Sequence, residues 1–221
     1  MKPVRTLIVS AVFVAIAVGV AIWLWPHMPD RVVTHWDING QPNGYSSRFW
    51  AAAMWPLLIL GFAVLTAVLP RISPKGFGME SFADVYGLVM LVIQGVMLVQ
   101  GIAAMLAGAG HAVPMTTIAH LSIGVVLMVL GNYMGKLRRN FFCGIKTPWT
   151  LASEAVWERT HRLAGWLFVL AGAVMATGAL VGVRTGWLLV VVVAVLLIPA
   201  AYSYFVYRRL EGGVESKGDR A

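Results

Sequence analysis

Residues 6–25 read TLIVSAVFVAIAVGVAIWLW, an unbroken run without Asp, Glu, Lys or Arg. Roughly 20 helical residues cross a hydrocarbon layer about 30 Å thick, so the run is long enough to span a membrane. It lacks the polar/apolar alternation of a barrel strand, and lipid admits only helices or closed barrels. The same test, carried along the chain, finds five more spans: Phe49–Leu69, Val85–Ala107, Met115–Met134, Leu163–Val183 and Trp187–Tyr207. The chain is 59% hydrophobic and 12% charged with a mean hydropathy of +0.79, more apolar than a water-soluble chain of 221 residues needs. The expected fold is an all-α integral membrane protein of six transmembrane helices, a single membrane domain over residues 1–221. Lys2 and Arg5 before the first run resemble the start of a secretory signal, but the run is too long and its Ala15–Ala17 site lies inside it.

The charge distribution orients the chain. With the N terminus inside, only Arg31, Arg48 and Arg184 of the 17 basic residues fall outside, the asymmetry of the positive-inside rule. Both termini are therefore expected in the cytoplasm of a bacterial plasma membrane. The net charge of +8 then reflects topology, and direct nucleic-acid binding has no place in the reading. Cys143 is the only cysteine, which excludes an internal disulfide and paired-cysteine metal sites.

Two loops stand out. In the outer loop, residues 26–48, Val32-Val33-Thr34-His35-Trp36 has strand-forming residue types, Asn39-Gly40 suits a tight turn with positive φ, and Pro42-Asn43-Gly44 suits a second turn. A small folded hairpin is expected there. The inner loop, residues 135–162, mixes basic residues with Phe141, Phe142, Trp149 and Trp157, an interfacial composition. Pro148 interrupts any helix, Ser153 is placed to cap a new one, and Glu158 is placed to pair with Arg162 at i,i+4. This predicts a short interfacial helix leading into the fifth span. The segment 211–221 is polar and glycine-containing, and is expected to be disordered.

Chemistry is sparse inside the spans. No Asp, Glu, Lys or Arg lies deep in any of them, Asp84 sits near a helix end, and Gln94 and Gln100 read as interhelical hydrogen-bonding amides. Neither HExxH nor GxSxG occurs. His27, Asp30, His35, Asp37 and His111 share the outer side, with His120 a little deeper. A divalent ion on His27, His35, Asp37 and His111 is one reading, and hydrogen bonding within the hairpin is the other. No other cofactor is indicated. Gly131-x-x-x-Gly135 and Gly178-x-x-x-Gly182 have the spacing of close helix contacts and are read as packing within the monomer.

At the two loops, over residues 28–45 of the outer one and 131–165 around the inner one, the chain resembles the SdpI family of bacterial multi-pass membrane immunity proteins. The outer stretch Met28-Pro29-Asp30-Arg31-Val32-Val33-Thr34-His35-Trp36-Asp37-Ile38-Asn39-Gly40-Gln41-Pro42-Asn43-Gly44-Tyr45 is similar to one family signature. Gly131-Asn132-Tyr133-Met134-Gly135-Lys136-Leu137-Arg138, then Asn140-Phe141-Phe142, Gly144 to Leu151 and Val156 to Gly165, is similar to the second. Val33, Asn43 and Arg139 depart from residues common in the family, which are proline, aspartate and proline respectively. The resemblance implies protection against a secreted peptide toxin and, as in the namesake, signalling by holding a transcriptional repressor, a winged-helix protein, at the membrane. On this reading the toxin-facing residues are His35, Trp36, Asp37, Gly40, Pro42, Asn43, Gly44 and Tyr45. The cytoplasmic surface is Asn132, Lys136, Arg138, Asn140, Lys146, Thr147, Pro148, Trp149, Arg159, His161 and Arg162. A non-enzymatic role follows; a small-molecule or ion transporter and a metal-dependent membrane enzyme are the alternatives.

Overall fold

The computed structural model describes the backbone of residues 3–218 and the side chains of residues 4–210. Among the described residues, six helices are long and apolar enough to cross a membrane. They are α1 (Pro3–Leu24), α2 (Arg48–Val68), α3 (Ala83–Gly108), α4 (Met115–Met134), α6 (Glu154–Leu180) and α7 (Thr185–Gly218). Strands β1 (Arg31–Trp36) and β2 (Pro42–Ser47) form a hairpin between α1 and α2, and α5 (Pro148–Ala152) precedes α6.

Local chemistry sets several boundaries. Pro26 has no N–H to continue α1, which ends in the tighter turn Trp25–His27. Ser47 starts α2 by accepting the Trp50 N–H, and Gly182, at φ +75°, ends α6 while the Val183 N–H reaches back to the Gly178 carbonyl at 2.8 Å.

Helices α1, α2 and α3 pack on one another; α4 lies along α6, α6 also holds α7, and α3 against α4 joins the two groups. Gln94 of α3, fully buried, donates to Thr66 Oγ1 of α2 at 3.2 Å, the interhelical amide bond expected of it. The tightest approach comes from four glycines. A Cβ at Gly131 would lie 2.7 Å from the Gly165 carbonyl oxygen, and one at Gly124 2.9 Å from that of Gly172; the reciprocal positions are as close. Gly124 and Gly131 on α4 thus face Gly172 and Gly165 on α6, seven residues apart on each antiparallel helix. Lipid tails are as apolar as side chains, so this packing comes from close van der Waals contact of backbones, which only the smallest residue permits.

The glycine spacing seen in the sequence is therefore only partly the one used. Gly131 is in the seam, but a Cβ at Gly135 would meet nothing within 4 Å; Gly178 packs on Leu188 of α7, and Gly182 serves the turn. Other differences lie at the basic end. Ser153 does not begin a separate surface helix: it accepts the Val156 N–H and starts α6, which runs unbroken from Glu154 into the fifth span. The separate short helix is α5, capped instead by Thr147 and Thr150. Glu158 accepts from Arg138 at 2.9 Å in place of the expected Arg162. The backbone of α7 extends to Gly218, past the start of the segment 211–221 expected to be disordered; residues 219–221 lie outside the described residues.

The seam makes a direct prediction. Gly131→Leu or Gly172→Leu must force α4 and α6 apart, at a cost of about 1–3 kcal/mol or more. Thermal denaturation in detergent should show a clear loss for either, whereas Gly135→Leu should melt like the parent; equal melting of all three would remove the seam from the account.

Candidate functional site

The hairpin is a folded unit anchored on the bundle. Val32 is buried with Leu24, Met28, Ala51, Ala52 and Met105, and Gly108 leaves room for it that a Cβ would fill. At the base, Arg48 donates to Asp30 Oδ1 at 2.7 Å, and its backbone N–H to the Asp30 carbonyl at 3.1 Å. Arg31 opposes Ser47, Val33 opposes Tyr45 and Trp36 opposes Pro42, with register shifts on either side of His35. An extra residue on β1, Thr34, is compensated by one on β2, Asn43. Paired bulges of this kind re-aim side chains without losing the strand ends. His35 Nδ1 lies 2.5 Å from Asn43 Oδ1, which fixes the bulged pair.

The tip is organised by Asp37. Its Oδ1 accepts the N–H groups of Asn39 and Gln41, each at 2.8 Å, while the Gly40 N–H meets the Asp37 carbonyl at 3.0 Å. Gly40 alone takes positive φ, +80°, so the turn is the longer kind with one left-handed residue rather than the two-residue turn expected at Asn39-Gly40. Pro42-Asn43-Gly44 is bulged strand, not a second turn. The Gln41 N–H above all, with those of Asn39 and Gly40 behind it, holds the Asp37 carboxyl below its ordinary value of 3.8, against the opposing effect of desolvation.

Under this tip lies a cavity of about 260 Å³. Thr34 to Ile38 form its roof, and Trp55 of α2, Gln100 of α3, and Thr116 and His120 of α4 line it from the bundle. It adjoins a groove of about 610 Å³ through the shared residues Ile38, Thr116 and Thr185; that groove continues along Arg184, Trp187 and Val190. Gly40 rests on α4, since a Cβ there would come within 2.5 Å of Thr116 Oγ1. Of the outer residues singled out in sequence, His35, Trp36 and Asp37 line the cavity and Gly40 supports the tip. Gly44 makes room for His35; Pro42, Asn43 and Tyr45 lie exposed on β2, with Tyr45 beneath the Arg31 guanidinium at 4.9 Å. Trp55 and Thr116 were not readable as site residues, being apolar or small polar members of spans.

Among the described residues, no three of His, Cys, Asp and Glu gather closely enough to hold an ion. His27 ends the turn after α1 and His111 follows α3, while His35 is engaged with Asn43 and Asp37 with its own turn.

At the opposite end the basic loop is a knot of internal bonds. Asn140, fully buried, donates to the carbonyls of Arg138 and Cys143 and accepts from the N–H groups of Phe142 and Cys143. His161, also buried, stacks on Trp157 and accepts the Ile145 N–H on Nε2 at 3.0 Å; its proton therefore sits on Nδ1, toward the Trp157 carbonyl at 2.8 Å. Gly144 at φ +111° passes so close to that ring that a Cβ would overlap it. Thr147 pairs with Ser203 of α7 at 2.9 Å, Trp149 meets Tyr204 edge-on, and Lys146 donates to the carbonyls of Phe141 and Phe142. Arg139 donates to the Leu151 carbonyl at 3.0 Å and lies over the Phe77 ring. Burial raises the Cys143 thiol above its ordinary value, with Lys146 opposing. Asn140, Lys146, Thr147 and His161, expected as surface residues for a partner, thus hold the loop together. The open surface holds Asn132, Lys136, Arg138, Arg159 and Arg162, with Lys146 also exposed beside its loop bonds and Pro148 exposed at the start of α5.

Because Asp37 is shifted down, the turn it organises is fully held above the ordinary carboxylate range and loosens as pH falls through the lowered value. Amide exchange at Gln41, corrected for its intrinsic pH dependence, should stay protected from neutral pH to about pH 4 and lose protection below it. Asp37→Asn should flatten that acid dependence; an unchanged profile would contradict the role given to the carboxylate.

Residues 136–204, the basic loop with α5, α6 and most of α7, match the SdpI/YfhL protein family. Residues 12–60, from α1 through the hairpin into α2, match a domain of unknown function, DUF1648. The chain is 25% identical over 211 residues to Immunity protein SdpI of Bacillus subtilis (strain 168), covering 93% of this chain and 97% of that protein. No solved structure matches it. Six membrane-spanning helices, these matched segments and this likeness make the chain a multi-pass bacterial membrane protein that is similar to the SdpI/YfhL family.

Proposed function

We propose that the protein is a membrane immunity protein that gives its cell resistance to a secreted peptide toxin, with the hairpin end outside the plasma membrane and the basic end and both termini in the cytoplasm. The observation that carries this reading is the likeness to Immunity protein SdpI, which runs almost end to end on both chains. The geometry supports it in two ways. The hairpin is a preordered, cavity-bearing structure at one end of the bundle, suited to meeting an amphipathic peptide. No Asp, Glu, Lys or Arg is buried among the described residues, which weighs against an ion-coupled carrier. The exposed Lys136, Arg138, Arg159 and Arg162 at the basic end support a second part of the proposal, the holding of a winged-helix repressor through an acidic surface. The same basic residues also meet anionic headgroups of the bilayer.

A reporter fused after Arg220 should read cytoplasmic and one inserted near Gln41 external; opposite labelling would invert the proposal. For function, survival of a toxin-sensitive strain is compared at equal membrane level of each variant. His35→Ala with Trp36→Ala should weaken protection. Arg159→Ala with Arg162→Ala should leave protection largely intact and reduce recruitment of the repressor, scored by its localisation. Lys146 and Arg139 are unsuitable partners for that test because both hold the loop. If the parent protein protects against no peptide toxin of this class, the immunity reading falls.

A further inference from the structure

The cavity under the hairpin has a chemistry that the immunity reading leaves unassigned. Two tryptophans, Trp36 and Trp55, line it together with Asp37, and the remaining polar lining, including His35, Gln100 and His120, contains no Lys or Arg. Aromatic faces beside one carboxylate attract a cation. The carboxylate is also preset, since the Asn39 and Gln41 N–H groups fix its position before anything arrives. A volume of about 260 Å³ lies below the range that takes whole drug-sized ligands, and suits the end of one side chain.

We infer that this cavity is a binding site for a primary ammonium group, contributed by a lysine side chain or by the amino terminus of a peptide lying at the hairpin end. The adjoining groove gives the rest of that peptide a path. It leads past Arg184, whose charge turns a second cation away and favours a carboxylate or polar neighbour, to Trp187 and Val190, which are exposed on the outer face of α7. An amphipathic peptide held in the membrane surface would thus reach the cavity sideways, under the hairpin tip. The peptide as source rests on the immunity reading; the ammonium chemistry does not.

The test uses the full-length protein in discs of zwitterionic phosphatidylcholine, so that the lipid surface does not itself collect cations. Ligand-observed NMR compares n-butylammonium with n-butanol, which has the same stem without the charge. Leucine N-methylamide, carrying only an α-amine, and Nα-acetyl-lysine N-methylamide, carrying only a side-chain amine, identify the source by whichever binds more tightly. Asp37→Asn removes the charge while its amide oxygen still accepts the two turn N–H bonds, so a folding defect is not built into the variant. The expected result is saturable binding of n-butylammonium, none of n-butanol, and a dissociation constant raised about tenfold by Asp37→Asn. Equal binding of the alcohol, an unchanged constant in Asp37→Asn, or no saturation by any amine would overturn the site. Protection of cells without ammonium binding would remove the site and leave immunity standing. Ammonium binding without protection would leave the site and remove the toxin as its cargo.

Discussion

Contact of backbone on backbone between α4 and α6 is the constraint from which the rest of the molecule is positioned. In lipid, helices gain little by hiding apolar surface from one another, so their alignment depends on how closely they fit. Gly124 against Gly172 and Gly131 against Gly165 fix the two helices in register over about two helical turns. One end of α4 then carries Thr116 and His120 to the hairpin, and the other delivers the Leu137 carbonyl to the Trp157 indole N–H at 2.8 Å. A shift of α4 along α6 would therefore disturb both ends of the protein together.

The two ends satisfy their polar groups by different means. At the hairpin, a charged side chain is given over to a turn: Asp37 binds backbone N–H groups, and Arg48 is paired with Asp30 at the base. At the basic end, buried neutral groups hold the interior, and Arg139 and Lys146 tie loop carbonyls from nearer the surface. Asn140 and His161 supply acceptors to loop N–H groups that have no helix or strand to pair with. A buried polar group left without a partner costs far more than a satisfied one returns, so these residues act as framework although they stand among surface arginines.

That distinction explains what was legible in the sequence and what was not. The spans were readable because hydrocarbon thickness imposes a length, and the start and end of α4 at Met115 and Met134 coincide with the apolar run. The hairpin was readable from its residue types, though the turn geometry was not: Asn39-Gly40 fits two turn classes, and the reach of the Asp37 carboxylate selects between them. The glycine seam was missed because four-residue spacing marks one common contact, whereas the antiparallel pair α4 and α6 uses a spacing of seven. The cavity was only half visible. Its roof is contiguous in the chain, but Trp55, Gln100 and Thr116 meet only once α2, α3 and α4 are packed, and nothing in an apolar run distinguishes an indole facing lipid from one facing a cavity.

The division between roof and floor also governs how far likeness to relatives reaches. The family matches cover residues 12–60 and 136–204, which include the hairpin, Trp55 and the basic knot. Gln100, Thr116 and His120, which close the cavity from below, fall between them. These segments thus carry the roof with Trp36 and Asp37 and also the Trp55 indole, while Gln100, Thr116 and His120 lie outside them but within the stretch over which the chain is 25% identical to Immunity protein SdpI. Two proteins sharing the hairpin can therefore share the carboxylate and the indoles and still differ in the neutral polar groups beneath the tip, so a ligand is assigned from the packed cavity as a whole rather than from the signature alone.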